Sequence, residues 1–270
     1  MTKLSKTLAG LILACLLITN LQAQDDQIYI TVTTVHFNMD YDDGSDEEWL
    51  ALEKEFHEKV TMKNELVLHT SFLNHYFTTD NSEAQAVRTY KSWADIEAAG
   101  KMDDKLIEEG WPDSLARKEF FRKLDAYYQA KHSDEIYISV PGAKLMAETP
   151  TESMVYYIQI RQYVQPEDGT IKEIAALRKE YNTAVIQANP LVKAYFPNRH
   201  RWGADSRDFV EVFVFSSLGD IEASFEKSQE LVEAKWPDEK ERDAFFDKMD
   251  RYFTGQHADY IFRSVPELYK

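Results

Sequence analysis

Residues 64–141 and 189–266 are two copies of one sequence. Sliding the chain against itself by 125 positions aligns them without a gap, and 28 of 78 positions are identical, where composition alone gives about five. Trp111-Pro112-Asp113 meets Trp236-Pro237-Asp238. Arg117, Phe120, Phe121, Lys123, Asp125 and Tyr127 meet Arg242, Phe245, Phe246, Lys248, Asp250 and Tyr252, and the pairing runs on through His132, Asp134 and Ile136 to His257, Asp259 and Ile261. It closes with Ser139-Val140-Pro141 against Ser264-Val265-Pro266. A duplication of this length rules out a short-repeat solenoid and requires two modules of similar fold, each large enough for its own core.

Each copy shows the same order of elements. In the first, 28–37 is rich in β-branched and aromatic residues and reads as a strand, and 46–64 carries Trp49, Leu52, Phe56 and Val60 at helical spacing. Two strands follow at 66–77 and 83–92, separated by the turn-forming Thr79-Asp80-Asn81-Ser82. A long helical stretch covers 93–131, broken at Gly110-Trp111-Pro112, with a last strand at 136–140. The second copy gives 155–164, 171–188, 191–202, 208–217, 218–256 and 260–265 in the same order. Module boundaries of 24–141 and 152–270 follow, with 142–151 as the linker.

The order βαββαβ makes a split-βαβ, ferredoxin-like sheet with its helices on one face, and two such sheets can cover each other's bare faces. On element order, module length and the fused pair, the chain resembles the dimeric α+β-barrel superfamily. The expected fold class is α+β: two tandem ferredoxin-like βαββαβ modules forming an intramolecular pseudo-dimeric α+β barrel, a monomer that acts as a pseudo-dimer. The resemblance implies a range of activities, from cofactor-independent monooxygenases and muconolactone-type isomerases to haem-binding and haem-degrading proteins and members without catalysis. No family catalytic motif accompanies it, so it implies fold more than function.

The opening residues are a separate object. Lys3 and Lys6 precede an apolar run from Leu8 to Ile18, and a polar stretch leads to Ala23, the pattern of a secretory signal over 1–23. Periplasmic or secreted protein is the expectation. Cys15, after Ile12-Leu13-Ala14, offers a lipoprotein alternative, against which Leu16, Leu17 and Ile18 continue the apolar run. Cleavage after Ala23 removes two lysines and the only cysteine, and takes the formal charge from −16 to −18. A chain this acidic repels phosphate backbones, which excludes a nucleic-acid partner. No later run approaches the ~20 apolar residues of a bilayer span, so no integral membrane protein is expected.

Strand alternation sorts the candidate site residues. With the 125-residue shift carried back to the first strand, Thr31, Thr33 and Val35 meet Tyr156, Ile158 and Ile160 on the helix side, leaving His36, Tyr157 and Arg161 facing the barrel interior. Val87 and Thr89 with Val212 and Val214 are also assigned to the helix side, which places Arg88, Tyr90, Phe213 and Phe215 in the interior with Glu211 nearby. His75 and His200, paired between the copies, share parity with Phe77 and Trp202.

His75 and His200 are the candidate acid–base or axial groups, because imidazole titrates near neutrality; a strand-end hydrogen bond is the plainer reading. His36, Arg88, Tyr90, Tyr157, Arg161, Trp202 and Glu211 are candidates to line a ligand pocket, with an Arg161–Glu211 salt bridge as the alternative for that pair. His132 and His257 are read as ending the long helix ahead of Asp134 and Asp259, a structural duty at the helix C-terminus. No HExxH-like spacing, phosphate loop, nucleophile elbow or dinucleotide fingerprint is present, so no metal and no cofactor are predicted, with haem left open by the resemblance. The favoured function is binding of a small apolar or aromatic molecule inside the barrel. An enzyme of the superfamily's type and a non-catalytic cell-envelope interaction module are the alternatives.

Overall fold

The computed structural model describes residues 27–270, so the signal sequence expected over 1–23 and Cys15 lie outside the described residues. The first module runs β1 (Tyr29–Phe37), α1 (Asp46–Lys59), β2 (His69–Phe77), β3 (Glu83–Tyr90), α2 (Trp93–Gly110), α3 (Ser114–Ala126) and β4 (Tyr128–Ser139). The second runs β5 (Val155–Tyr163), α4 (Ile171–Tyr181), β6 (Ala194–Trp202), β7 (Asp208–Phe215), α5 (Gly219–Lys235), α6 (Glu239–Asp250) and β8 (Phe253–Ser264), with a π-helical turn over Asn182–Ile186 extending α4. No helix of the described residues is long and apolar enough to cross a membrane.

Local signals set the helix boundaries. Ser45 and Thr170 cap α1 and α4 by accepting the backbone N–H of Glu48 and Glu173. At the repeated Trp-Pro-Asp, proline ends one helix and aspartate caps the next: Asp113 Oδ1 accepts from Leu115 N at 2.9 Å and Ala116 N at 2.8 Å, and Asp238 accepts from Glu241 N.

The eight strands close into one barrel in the order β1-β3-β2-β8-β5-β7-β6-β4. Every ladder is antiparallel, including the seams β2–β8 and β4–β6 that join the modules. Consequently β1, β2, β5 and β6 run one way and their neighbours the other. The pseudo-two-fold lies along the barrel axis, and the C-terminal ends of β1, β2, β5 and β6 share one rim, the upper end.

One apolar cluster draws on all eight strands and on no helix: Ile30, Leu73, Tyr137, Tyr156, Ile158, Ala194, Val210, Val214 and Phe262, with Val32, Val87, Ile160, Phe196, Val212 and Tyr260 packed against it. Such a cluster can only be the barrel interior, which is a packed core. The helices cover the outer face through separate clusters, such as Trp49, Phe72, Ala84 and Tyr127 in the first module and Val155, Tyr195, Phe215 and Ile221 in the second.

This corrects the facing of three strands. Val87, Val212 and Val214 point inward, so Arg88, Tyr90, Glu211, Phe213 and Phe215 point at the helices, and in β5 it is Tyr156, Ile158 and Ile160 that point inward while Tyr157 and Arg161 face outward. For β3 and β7 the aliphatic side belongs to the barrel because its interior is the drier face. For β5 the cause is a length difference. From the end of the strand to the N-cap there are seven residues (38–44) in the first module and six (164–169) in the second, so the first strands correspond by a shift of 126. A one-residue slip reverses every side chain of a strand.

His132 and His257 do not end a helix. The helices stop at Ala126 and Asp250, and β4 and β8 begin at Tyr128 and Phe253, so both histidines lie within strands, His132 opposite Val35 and His257 opposite Arg161.

Candidate functional site

Strand polarity settles the placement of the paired histidines. His75 near the end of β2 and His200 near the end of β6 belong to the same upper rim. His75 Nδ1 shares a hydrogen bond with Thr78 Oγ1 at 2.8 Å, the strand-end role. His200 lies opposite Tyr137 and beside Asp205 and Asp208. Burial, together with the charges of Asp205 and Glu135, pushes the Asp208 carboxyl up to about 6. His36 is buried at the same rim, its Nδ1 3.2 Å from Ser82 Oγ and 3.3 Å from Asp80 Oδ2, and with the corrected shift its counterpart is Gln162, not Arg161. Trp202 is 68% exposed past the rim. Tyr90 is buried with Val67 and Ala99 under α2, and Arg88 Nη1 pairs with Asp103 Oδ2 of α2 at 2.5 Å. The nine candidates are therefore not gathered in one pocket.

Three of them, Tyr157, Arg161 and Glu211, meet on the helix-facing side of the second sheet. Glu211 is the centre of a buried polar network there. Its carboxylate accepts a very short hydrogen bond from the Tyr195 hydroxyl, lies 3.5 Å from Arg178 Nη1 and 3.7 Å from Arg161 Nη1, and Arg178 Nη2 donates to Tyr195 at 2.8 Å. The Arg161–Glu211 bridge read from sequence is thus present. Arg161 also reaches Asp250 of α6 at 3.7 Å and stacks over Phe253, and Arg178 stacks over Phe209. Burial raises the Tyr195 hydroxyl far above its ordinary value, so it stays protonated and donates. Arg178 Nε is buried without a partner.

An aromatic wall adjoins this network. Tyr195 touches Phe213 with ring centres 4.8 Å apart, Phe213 stacks on Tyr157 at 5.8 Å, and Tyr157 meets Phe225 of α5 edge-on at 6.0 Å. Phe225 is 55% exposed, so the wall opens to solvent there. Along its edge runs a chain of polar contacts. His257 Nδ1 is 2.6 Å from Asp259 Oδ2, and Tyr157 donates its hydroxyl to Asp259 Oδ1 at 2.6 Å. Gln159 Nε2 donates to the Tyr157 hydroxyl at 3.0 Å and to Asp259 Oδ1 at 3.1 Å. Burial alone would raise the Asp259 carboxyl, but the hydrogen bonds from Tyr157 and Gln159 and the neighbouring His257 hold it below its usual value. Burial and the bond to Asp259 raise the Tyr157 phenol. A carboxylate that fixes an imidazole on one side and a phenol on the other can orient a proton-transferring group.

The first module keeps the dyad, with His132 Nε2 3.3 Å from Asp134 Oδ2 and Thr33 donating to Asp134 at 2.6 Å, but lacks the wall. Thr31, Arg88 and Gly100 stand where the second has Tyr157, Phe213 and Phe225, and Arg88 is engaged there with Asp103. The two copies have diverged at this place. From sequence, His257 and Asp259 read as the end of a helix and not as strand, and Gln159 is assigned with Tyr157 to the barrel interior. Retention of His132/His257 and Asp134/Asp259 in both copies was the available signal.

The haem that the resemblance leaves open would have to lie between sheet and helices, because the barrel interior is packed. Arg178, Glu211, Tyr195 and the aromatic rings occupy that space in the second module, and Glu53, Tyr128, Trp49 and the Arg88–Asp103 pair occupy it in the first. His75 and His200, the candidate axial groups, stand at the barrel rim instead, so the residues present do not fit the group. Two open grooves lie on the helix layers, one lined by Lys179, Glu180, Thr183 and Lys235 and the other by Glu47, Leu50, Lys54 and Glu58. Among the described residues no group of three or more His, Cys, Asp or Glu side chains is arranged to hold a metal ion.

This barrel recurs among solved structures. A proposed monooxygenase from Fusobacterium nucleatum is similar over 88% of this chain and 92% of its own, at 10% identity and a TM-score of 0.56. A chlorite dismutase variant from Candidatus Nitrospira defluvii is similar over 89% and 92%, at 14% identity and a TM-score of 0.51. No protein-family profile matches the chain, and no curated protein sequence matches it. At such identities the likeness establishes the fold alone: a closed α+β barrel of two ferredoxin-like modules, both carried on one polypeptide.

Proposed function

We propose that this is an exported protein that binds a small, partly aromatic molecule on the helix-facing side of its second module, against Tyr157, Phe213 and Phe225. The observation that carries the reading is the divergence of the copies. The first holds an ion pair where the second presents a half-open aromatic wall edged by His257, Asp259 and Gln159, and aromatic surface with a few placed polar groups is what small-molecule sites offer. The barrel interior is too well packed to serve. Export rests on Lys3, Lys6 and the apolar run that follows.

A second reading is favoured by the His257–Asp259 dyad: proton abstraction from the bound molecule, with His257 as base and Asp259 fixing its tautomer. The description of the Fusobacterium neighbour as a proposed monooxygenase agrees in class with that reading. Native mass spectrometry of the protein purified from its own cell envelope tests both. A retained molecule that is lost in Tyr157→Ala and Phe225→Ala supports binding at the wall. If His257→Ala still retains it and its unaltered form accumulates, the dyad performs chemistry. Retention undiminished in Tyr157→Ala and Phe225→Ala would remove this site from consideration.

A further inference from the structure

Past its last strand, each module sends a short tail across the seam into the other module, and the two tails are docked alike. After β4, Lys144 forms a reciprocal backbone pair with Tyr195 of β6, both N–H···O distances being 2.8 Å. After β8, Lys270 forms the corresponding pair with Thr70 of β2, both at 3.4 Å. Thr70 and Tyr195 are equivalent by the 125-residue shift, and Lys144 and Lys270 by 126.

The side chains repeat the match. Lys144 Nζ donates to the carbonyls of Ile186, Gln187 and Asn189 at 3.3, 3.2 and 2.7 Å, and Lys270 Nζ donates to those of Thr61 and Asn64 at 3.0 and 2.6 Å. These carbonyls lie just past α4 and α1, where a helix leaves acceptors unsatisfied and a cation is favoured. Around each lysine the backbone closes further: Val140 N donates to Pro197 O, and Val265 N donates to Phe72 O, each at 2.9 Å. Leu268 is buried in the first module's helix-side cluster, and the Tyr269 carbonyl meets His57 Nε2 at 3.1 Å. On the other side Gly142, at φ +109°, lies so close to Asn182 that a Cβ would overlap its amide.

We infer that each module carries, at the carbonyls following its first helix, a docking groove for the lysine-bearing tail of the other, so that the molecule is a mutually clasped complex of two modules whose covalent linker is dispensable once it has folded. The partner each groove fits is an extended segment that enters from the neighbouring sheet and presents one ammonium. Both lysines pass from water into partly buried sites, where desolvation lowers both amines from their ordinary value and the carbonyls around each Nζ offset that cost to the ammonium.

The test is a full-length protein with a protease site inserted between Glu148 and Glu152, in an exposed part of the linker, cut after folding and examined by gel filtration and by fluorescence-detected dissociation on dilution. The cut wild type should elute as one particle. Lys144→Met and Lys270→Met should each weaken the association of the cut halves about 10- to 100-fold, as loss of a charge-assisted hydrogen-bond set implies, and Lys→Arg should retain most of it. Circular dichroism of the uncut proteins confirms folding, and the single variants carry the comparison where the double one does not fold. Halves that separate as soon as the wild type is cut overturn the inference, as do lysine variants whose cut halves hold together as tightly as the wild type.

Discussion

Glu211 and Arg178 illustrate how a buried charge ties a residue to its surroundings. Both are buried between sheet and helix, and each relies on the other and on Tyr195 for compensation. Removing one member leaves the opposite charge unpaired at low dielectric, so Glu211→Gln should lower unfolding free energy by about 3–5 kcal/mol, read from urea denaturation. Replacing Arg178 and Glu211 together by Met and Leu, with Tyr195→Phe to remove the hydroxyl that both of them bind, should restore a large part of that loss, because the triple change leaves no orphan in the buried network. Asp208 makes a prediction in pH. Its carboxyl is raised from 3.8 to about 6 in the folded state, so folding is favoured by the protonated form. That stabilisation is complete below pH 3.8 and is lost as pH rises through 6. Solvent screening at this half-exposed site reduces the effect to about 1 kcal/mol. Asp208→Asn should therefore flatten the fall in melting temperature between pH 4 and 6 and be the more stable protein at pH 8. An unchanged slope would show that burial and the charges of Asp205 and Glu135 do not raise this group in the folded protein.

At the scale of elements, the duplicated Trp-Pro-Asp should act equally in both copies. Asp113→Ala and Asp238→Ala each remove a cap that satisfies backbone N–H groups, and each should lower stability by about 1 kcal/mol in denaturant titrations. The order of strands and helices, the break at the proline and the duplication were all legible in the sequence, because apolar spacing and capping residues are local signals. The facing of β5 was not. It depends on a single residue in a polar loop, 38–44 against 164–169, outside the stretch where the copies align without a gap. The first halves of β4 and β8 were misassigned for another reason. Residues such as Gln129, Lys131, Gln256 and His257 lie in strand with their side chains exposed, so no buried face imposes alternation and the polar run reads as a continuing helix. The candidate site fell between these two errors. Tyr157 and Glu211 were selected but aimed inward, whereas His257 and Asp259 were set aside as the end of a helix.

On the scale of the whole molecule, the barrel leaves neither module a core of its own inside the strands. Ile158 belongs to the second module, yet the cluster that buries it includes Ile30, Val32, Leu73 and Tyr137 of the first. Each sheet, exposed alone, would present this apolar face to water and leave the ladders β2–β8 and β4–β6 unpaired. A half-unfolded chain therefore forfeits the interior and both seams at once, which couples the modules far more tightly than two domains on a string. The chain should unfold in one calorimetric transition whose van't Hoff and calorimetric enthalpies agree. Ile158→Ala, which opens a cavity at that shared core, should cost about 2–5 kcal/mol and move the single transition as a whole. Two resolved transitions, with only one shifted by Ile158→Ala, would mean that the helix-side clusters suffice to hold each module without the barrel.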